Sequence, residues 1–88
     1  MNKNEEVETM VEEKVKNIVI AQLGCMIPGS VIPEASFDNL GADELDMITI
    51  LTDVEGEFNI EIPDVAAAQI FTVGDLIKYV EGRVKNGK

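Results

Sequence analysis

The sequence contains no histidine, a single cysteine and no long apolar run. Without histidine it can form no Ser-His or Cys-His nucleophile pair and no His-containing zinc site. One cysteine allows no internal disulfide, which fits a reducing cytosol. No apolar run approaches the roughly 20 residues of a membrane span, and the N-terminus is too acidic for a signal peptide. We therefore expect a cytoplasmic protein that does not cross a membrane.

Basic residues are also scarce. The chain has 17 acids against 7 bases, a formal net charge of −10, and residues 17–77 contain no base at all. A charge of this sign repels phosphate backbones and anionic lipid heads, so we expect neither nucleic-acid nor membrane binding. The 11 acids of residues 17–77 are predicted to face water or a basic partner, because that stretch offers them no cation.

The length and composition predict one small domain. Eighty-eight residues are too few for two domains or for a deep active-site cleft. A hydrophobic fraction of 45% is enough for one core and too high for disorder. We expect a monomer with residues 5–84 structured and with fraying tails at residues 1–4 and 85–88.

Apolar residues at steps of three and four predict a first helix over residues 5–23, with Gly24 as its C-cap. Residues 25–42 are predicted to form a long ordered loop lying across the helices. Four of its apolar residues are expected to pack in the core: Ile27, Val31, Ile32 and Phe37. Cys25 is expected to be core or half-buried rather than reactive, because no base lies beside it in the sequence.

A second helix is predicted to begin after Asp43, a favourable N-cap, with Glu44 and Asp46 in its first turn. Its buried face is predicted to consist of Met47, Leu51, Val54 and Phe58. Three further apolar residues widen this surface beyond a single buried stripe: Leu45, Ile48 and Ile50.

The last third of the chain predicts one short helix and one longer helix. Pro63 is followed by Asp64, the expected N-cap of a short helix over residues 65–69. Thr72 and Asp75 are spaced as a capping box for the last helix. Its buried side is predicted to be Val73, Leu76, Ile77, Val80 and Val84. Three longer helices, one short helix and no strand pattern predict an all-α four-helix bundle.

Several segments resemble acyl carrier proteins. They are LGAD at residues 40–43, LD at 45–46, EFNIEIPD at 57–64 and TV at 72–73. The resemblance extends over almost the whole chain in helix order and loop lengths. It implies a carrier of acyl or polyketide intermediates in fatty-acid or polyketide biosynthesis. Such a carrier is not an enzyme, and it holds its cargo on a 4′-phosphopantetheine group attached to a serine.

The attachment serine is replaced in this sequence. The family motif Asp-Ser-Leu corresponds to Asp43, Glu44 and Leu45, so a carboxylate stands at the attachment position. We therefore expect no phosphopantetheine on this chain. Thr49 and Thr52 lie too far into the helix to substitute, and Ser36 lies outside the motif. The replacement is compatible with a natural paralogue that lost its serine and with a deliberate substitution.

Glu44 itself has two interpretations. A carboxylate in the first turn favours the helix dipole by typically about 0.3–1 kcal/mol, so the residue could be a neutral replacement. Alternatively, its charge imitates the family's phosphodiester and occupies a partner's basic socket.

The resemblance implies partner docking along the second helix. Basic patches of phosphopantetheinyl transferase, ketosynthase or acyl-transfer enzymes are the expected partners. The corresponding positions are Asp43, Leu45, Asp46, Ile48, Thr49, Thr52, Glu55 and Gly56. Thr49 and Gly56 stand where acids are usual, and Thr52 replaces an apolar residue, which implies a specialised partner or a regulatory role. Leu45 and Ile48 are equally compatible with docking and with the edge of the core.

Other sites are less well supported. Glu55, Glu57 and Glu61 could attract a cation, but the calcium-loop pattern is absent, so no dedicated metal site is predicted. Glu44, Asp43 and Asp46 resemble acid–base dyads only in residue type, so no catalysis is predicted. The alternative function is an acidic helical interaction module, unrelated to acyl transfer, that binds a basic protein or imitates nucleic-acid charge. The LGAD and EIPD segments favour the carrier.

Overall fold

The computed structural model describes residues 3–24 and 32–86, with side chains described for residues 6–24 and 32–84. Over these ranges the chain forms four helices, α1 (Lys3–Leu23), α2 (Glu44–Phe58), α3 (Asp64–Ala67) and α4 (Val73–Asn86). The extended pairing seen within them is one isolated antiparallel bridge, Ser36 to Thr72. This confirms the prediction of three longer helices and one short helix.

The core forms where α1 packs against both α2 and α4. It contains apolar side chains from every part of the chain except α3: Val11, Val15, Val19, Phe37, Ile50, Val54, Ile62, Ile70, Val73, Leu76, Ile77 and Val80. None of the polar side chains in the described ranges is buried. Of the residues predicted to form the buried side of α4, all are buried except Val84, which is partly buried against the core.

The buried face of α2 is rotated relative to the prediction. Ile50, which we assigned to the widened outer surface, is fully buried together with Val54. Met47, Leu51 and Phe58 pack against the core but remain partly exposed. Because Ile50 and Val54 are one turn apart, they line up under α1 as the centre of the stripe. The other side of α2 is thereby turned outward.

The loop before α2 is fastened to the start of α4. Phe37 N–H donates to the Phe71 carbonyl at 3.0 Å, and Gly74 N–H donates to the Pro33 carbonyl at 2.8 Å. A Cβ at Gly74 would lie 2.9 Å from that carbonyl oxygen, so this close approach requires glycine. Phe37 is buried as predicted. Ile32 is 46% exposed, and its predicted burial is wrong, because it lies just before the fastened segment.

Cys25, Ile27 and Val31 lie outside the described residues.

The helix ends follow the predicted signals with one exception. Gly24 has a φ of +84°, and its N–H donates to the Ile20 carbonyl, as expected of a C-cap. Asp64 is the first residue of α3 rather than its N-cap, so that prediction is wrong. Pro63 occupies the N-cap position and makes no side-chain cap. The fixed φ of proline suits this entry to a helix, and Asp64 then lies in the first turn, next to the positive end of the dipole.

The start of α4 carries the predicted capping box. Asp75 N–H donates to Thr72 Oγ1 at 3.0 Å, and Thr72 N–H donates to Asp75 Oδ2 at 3.1 Å. Phe71 N–H also donates to Asp75 Oδ2 at 3.0 Å. No helix in the described part of the chain is long and apolar enough to cross a membrane.

Candidate functional site

The start of α2 is closed by two aspartates. Asp43 has extended backbone dihedrals, and its Oδ1 accepts a hydrogen bond from Asp46 N–H at 2.8 Å. Asp46 Oδ2 accepts one in return from Asp43 N–H at 3.1 Å. These two bonds satisfy backbone donors that a helix start leaves without partners, so the first turn of α2 is fixed by its own side chains.

Asp46 also joins α2 to α1. Gln22 Nε2, in the last turn of α1, donates to Asp46 Oδ1 at 3.1 Å. The Asp43 backbone hydrogen bond, with the Gln22 amide second, holds the pKa of Asp46 below its ordinary value of 3.8. The carboxylate is therefore used to position the start of α2 against its neighbour.

Glu44 is the first residue of α2, and its side chain is exposed. Beside it, Leu45 is 73% exposed and Ile48 is 57% exposed. This answers the question left open by the sequence, because neither residue belongs to the core. Thr52, one turn further on, is exposed on the same side of the helix. We call Leu45, Ile48 and Thr52 the outer face of α2.

The remaining predicted docking residues have other surroundings. Thr49 is partly exposed at the margin of the outer face, and Gly56 is exposed near the end of α2. The Glu55 carboxylate makes a contact within the protein, because its Oε2 accepts a hydrogen bond from Ile62 N–H at 2.7 Å. That bond fixes the connection between α2 and α3.

Several acids of residues 17–77 have partners within the protein that the sequence did not predict. Glu57 Oε2 lies 2.6 Å from Lys14 Nζ. Lys14 lies on α1, far from Glu57 in the sequence but next to it in the fold. Asp43, Asp46, Glu55 and Asp75 accept backbone hydrogen bonds. The expectation that these acids face only water or a partner is therefore wrong for these four and for Glu57. It overlooked backbone N–H groups and long-range pairing as sources of positive charge.

Metal binding and acid–base catalysis gain no support from the geometry. The side chains described form no group of three or more potential metal ligands, and this covers Glu55, Glu57 and Glu61. Asp43 and Asp46 act as a reciprocal helix cap.

The described residues thus form a small all-α domain with a capped start of α2 and exposed apolar residues beside it. The model of the family described as "Phosphopantetheine attachment site" matches residues 13–80. The chain belongs to this family, which confirms the resemblance to acyl carrier proteins. Domains of this family are carriers rather than catalysts, bear 4′-phosphopantetheine and act together with partner enzymes.

The side chains at the start of α2 bear on the prediction that this chain carries no such group. Glu44, which the sequence predicts at the attachment position, is exposed, and its carboxylate has no hydroxyl to form a phosphodiester. Thr49 and Thr52 lie about 7.5 and 12 Å further along the helix axis at 1.5 Å per residue. Ser36 is partly buried, and its Oγ accepts a hydrogen bond from Asn39 N–H at 3.0 Å.

Sequence reasoning missed three contacts of this site. The Asp43–Asp46 spacing of three residues is itself a capping signal, and could have been read as one. The bond from Gln22 to Asp46 joins residues 24 apart, and the bond from Glu55 to Ile62 links two segments across a turn. Such contacts depend on how separate segments pack, so no local sequence pattern predicts them.

Proposed function

We propose that this chain is a carrier-type docking protein of fatty-acid or polyketide biosynthesis that binds partner enzymes without bearing 4′-phosphopantetheine. It acts as a cytoplasmic monomer without catalytic activity of its own. The observation that supports this proposal is the pair of exposed apolar side chains, Leu45 and Ile48, directly beside the Glu44 carboxylate. Exposed apolar residues next to a family attachment position are suited to contact with the enzymes that act there.

Partner recognition combines the outer face of α2 with negative charge. Asp43 and Asp53 are exposed on α2 or at its start, and the whole chain has a net charge of −10. A field of one sign speeds association with a basic surface and makes it sensitive to salt. The proposed partners are basic patches of phosphopantetheinyl transferase, ketosynthase or acyl-transfer enzymes.

The residues of the docking surface divide into two roles. Leu45, Ile48 and Thr52 are proposed to contact the partner, with Thr49 at the margin. Asp46 and Glu55 are proposed to hold α2 in position, because their carboxylates already accept internal hydrogen bonds. Neutralising Asp46 or Glu55 is therefore expected to act on partner binding through the helix rather than through lost contacts.

The test of the carrier role is intact mass after incubation with coenzyme A and a broad-specificity phosphopantetheinyl transferase. The given chain, Glu44→Ser and Glu44→Ala are compared, because both variants lose the charge and only one gains a hydroxyl. We expect the phosphopantetheine mass on Glu44→Ser alone. This result would mean that the transferase recognises the scaffold and that a single side chain prevents loading.

Failure of folded Glu44→Ser to gain the group would overturn the carrier proposal. The acidic interaction module would then be the better description of the chain. Modification of the given chain itself would overturn the claim that it acts without the group.

Docking through the outer face is tested in the Glu44→Ser background. Ile48→Ser is expected to slow modification by the transferase about tenfold, since exposed apolar residues at interfaces contribute 1 kcal/mol or more when they are contact centres. Val65→Ser is the matched control, because Val65 is equally apolar and 76% exposed but lies on α3. Equal rates for the two variants would exclude Ile48 from the docking surface.

A further inference from the structure

Two pairs of basic residues behave differently in this acidic chain. Lys14 and Lys16 on α1 form ion pairs, with Glu57 at 2.6 Å and with Glu12 at 3.1 Å. Lys78 and Arg83 on α4 are exposed, and neither forms such an ion pair with a carboxylate among the described side chains. Both of them line one groove. Among the basic side chains in the described ranges, the two that form no ion pair thus line the same groove.

The groove lies between α4 and the segment that joins α2 to α3. Its volume is about 800 Å³, and its lining consists of Asn59, Ile60, Glu61, Lys78, Tyr79, Gly82 and Arg83. Tyr79 Oη donates a hydrogen bond to the Glu61 carbonyl at 3.0 Å, which ties one wall to the other. Ile60 and Tyr79 are partly buried and pack against the core, so they give the groove a fixed apolar side.

Gly82 adds no side chain to this groove. It lies one turn after Lys78 on α4, and a Cβ built there would meet nothing within 4 Å, so the space beside it is open. The groove therefore has room for a ligand of modest size. A volume of this order is typical of small-molecule sites.

The groove is separate from the docking surface at the start of α2. It adjoins Asn59, directly after the end of α2, and the 15 residues of that helix span about 22.5 Å at 1.5 Å per residue. The Debye length at physiological ionic strength is about 8 Å, so charges around Glu44 are largely screened at the groove. A ligand can bind here irrespective of what binds at the other end of α2.

We propose that this groove binds the phosphate group of a small molecule, with Lys78 and Arg83 as its cationic contacts. Arginine presents a planar fork that matches phosphate oxygens, and lysine adds a compact charge. A phosphate dianion gains from both cations, whereas a single carboxylate carries half its charge. The remainder of the ligand packs on Ile60 and Tyr79.

The net charge limits the ligand to a small one. A polyanion such as nucleic acid, or the acidic surface of a protein, would be repelled by the charge of −10 over its whole length. A single phosphate group is exposed mainly to the charges nearest the groove. Of these, Glu61 lines it and opposes binding, and Asp75 acts on Lys78 from the preceding turn of α4.

The test is an amide chemical-shift titration of the full chain with inorganic phosphate, phenyl phosphate and acetate. Saturable shifts are expected at residues 59–61 and 78–83, with phenyl phosphate strongest and acetate weakest. Lys78→Gln and Arg83→Gln should each weaken phosphate binding about fivefold, the upper range for one exposed charge pair. Lys16→Gln removes the same charge from α1 and should leave the affinity unchanged. Glu61→Gln should strengthen binding.

The variant Gly82→Leu provides a second, independent test of phosphate binding in the groove. Leucine has a better helix propensity than glycine, and its Cβ would meet nothing within 4 Å, so the variant is expected to fold at least as well as the original chain. The rest of its side chain would occupy space between Lys78 and Arg83, so phosphate binding should weaken.

Three results would overturn the proposal. Unsaturable shifts spread over the chain would show general ion effects only. Acetate binding as tightly as phosphate would refute the phosphate assignment. Equal weakening by Lys16→Gln and Lys78→Gln would refute the groove.

Discussion

The starts of α2 and α4 are closed in the same way but have different surroundings. Each has a reciprocal cap made by residues three apart, Asp43 with Asp46 and Thr72 with Asp75. In α4 the residue directly after the cap, Val73, is fully buried. In α2 the residues after the cap are Glu44, which is exposed, and Leu45, which is 73% exposed.

This comparison shows that a cap can replace burial at a helix start. The cap satisfies the free backbone donors locally, so the first turn does not depend on neighbours to form. At α4 the core adds to the stability that the cap provides. At α2 the cap holds the backbone while the apolar side chains remain available to a partner. The two starts should therefore respond differently to the loss of side chains and similarly to the loss of caps.

The largest expected difference concerns the side chains after each cap. Leu76→Ala empties a fully buried position under α4 and is expected to lower the free energy of unfolding by about 3 kcal/mol. Leu45→Ala removes the same atoms from an exposed position and should change it by less than about 0.5 kcal/mol. Urea unfolding followed by circular dichroism measures both. Similar losses would mean that Leu45 is buried in solution.

Removing either cap should have nearly the same effect. Asp43→Ala and Thr72→Ala are each expected to lower the free energy of unfolding by about 1 kcal/mol, the usual cost of an N-cap. Thr52→Ala, in the exposed middle of α2, is the control and should have little effect or a slightly stabilising one. The same urea experiment applies. A much larger loss for Thr72→Ala would show that burial and capping are coupled at α4.

Because of the caps, the free energy of unfolding should also depend on pH in the acid range. Backbone hydrogen bonds from Phe71 and Thr72 hold the pKa of Asp75 below its ordinary value of 3.8, and the Asp43 backbone does the same for Asp46. Because the folded pKa values are depressed, this stabilisation is complete above the unfolded value and is lost as pH falls through the folded one.

Unfolding free energies measured by urea titration across the acid range test this dependence. Below about pH 4, the stability of Asp75→Asn should fall less steeply than that of the original chain. Thr52→Ala removes no titratable group and is the control, so its acid dependence should match the original. If the free energy of unfolding of Asp75→Asn fell with acid as steeply as that of the original chain, groups other than Asp75 would be responsible for the acid dependence.

The smallest expected effect belongs to Glu44. Glu44→Gln keeps the shape of the side chain and removes a charge at the positive end of α2, so unfolding should become easier by about 0.5 kcal/mol. Affinity for a transferase or ketosynthase should not change, and surface plasmon resonance measures it. A clear loss of affinity would instead support imitation of a phosphodiester by the Glu44 charge.

The sequence predicts those features of the fold that are decided locally. The helices follow from apolar spacing, and Asp43, Thr72 and Gly24 mark their ends because caps depend on a few neighbouring residues. Ile32 and Ile50 were misplaced because their burial depends on which face meets another element. A sequence pattern predicts which residues belong to an apolar face more reliably than it predicts which of them are most buried.

The sequence predicts a position for the candidate site but not its detail. It places the site at the motif around Glu44, since that motif is continuous in the chain. The exposure of Leu45 and Ile48 depends on how α2 turns against α1. The internal use of Glu55 depends on the path of the next segment, and the groove beside Lys78 joins parts of the chain about 20 residues apart.

The backbone pairing between residues 33–37 and 71–74 has a consequence for motion. Its hydrogen bonds close a chain loop that contains both α2 and α3. We expect the amide hydrogens of Phe37, Val73 and Gly74 to exchange with solvent more slowly than those at the start of α2. Local opening of α2 then leaves both ends of its loop clamped. We therefore expect the first turn of α2 to open and close again without a change in the pairing of residues 33–37 with residues 71–74.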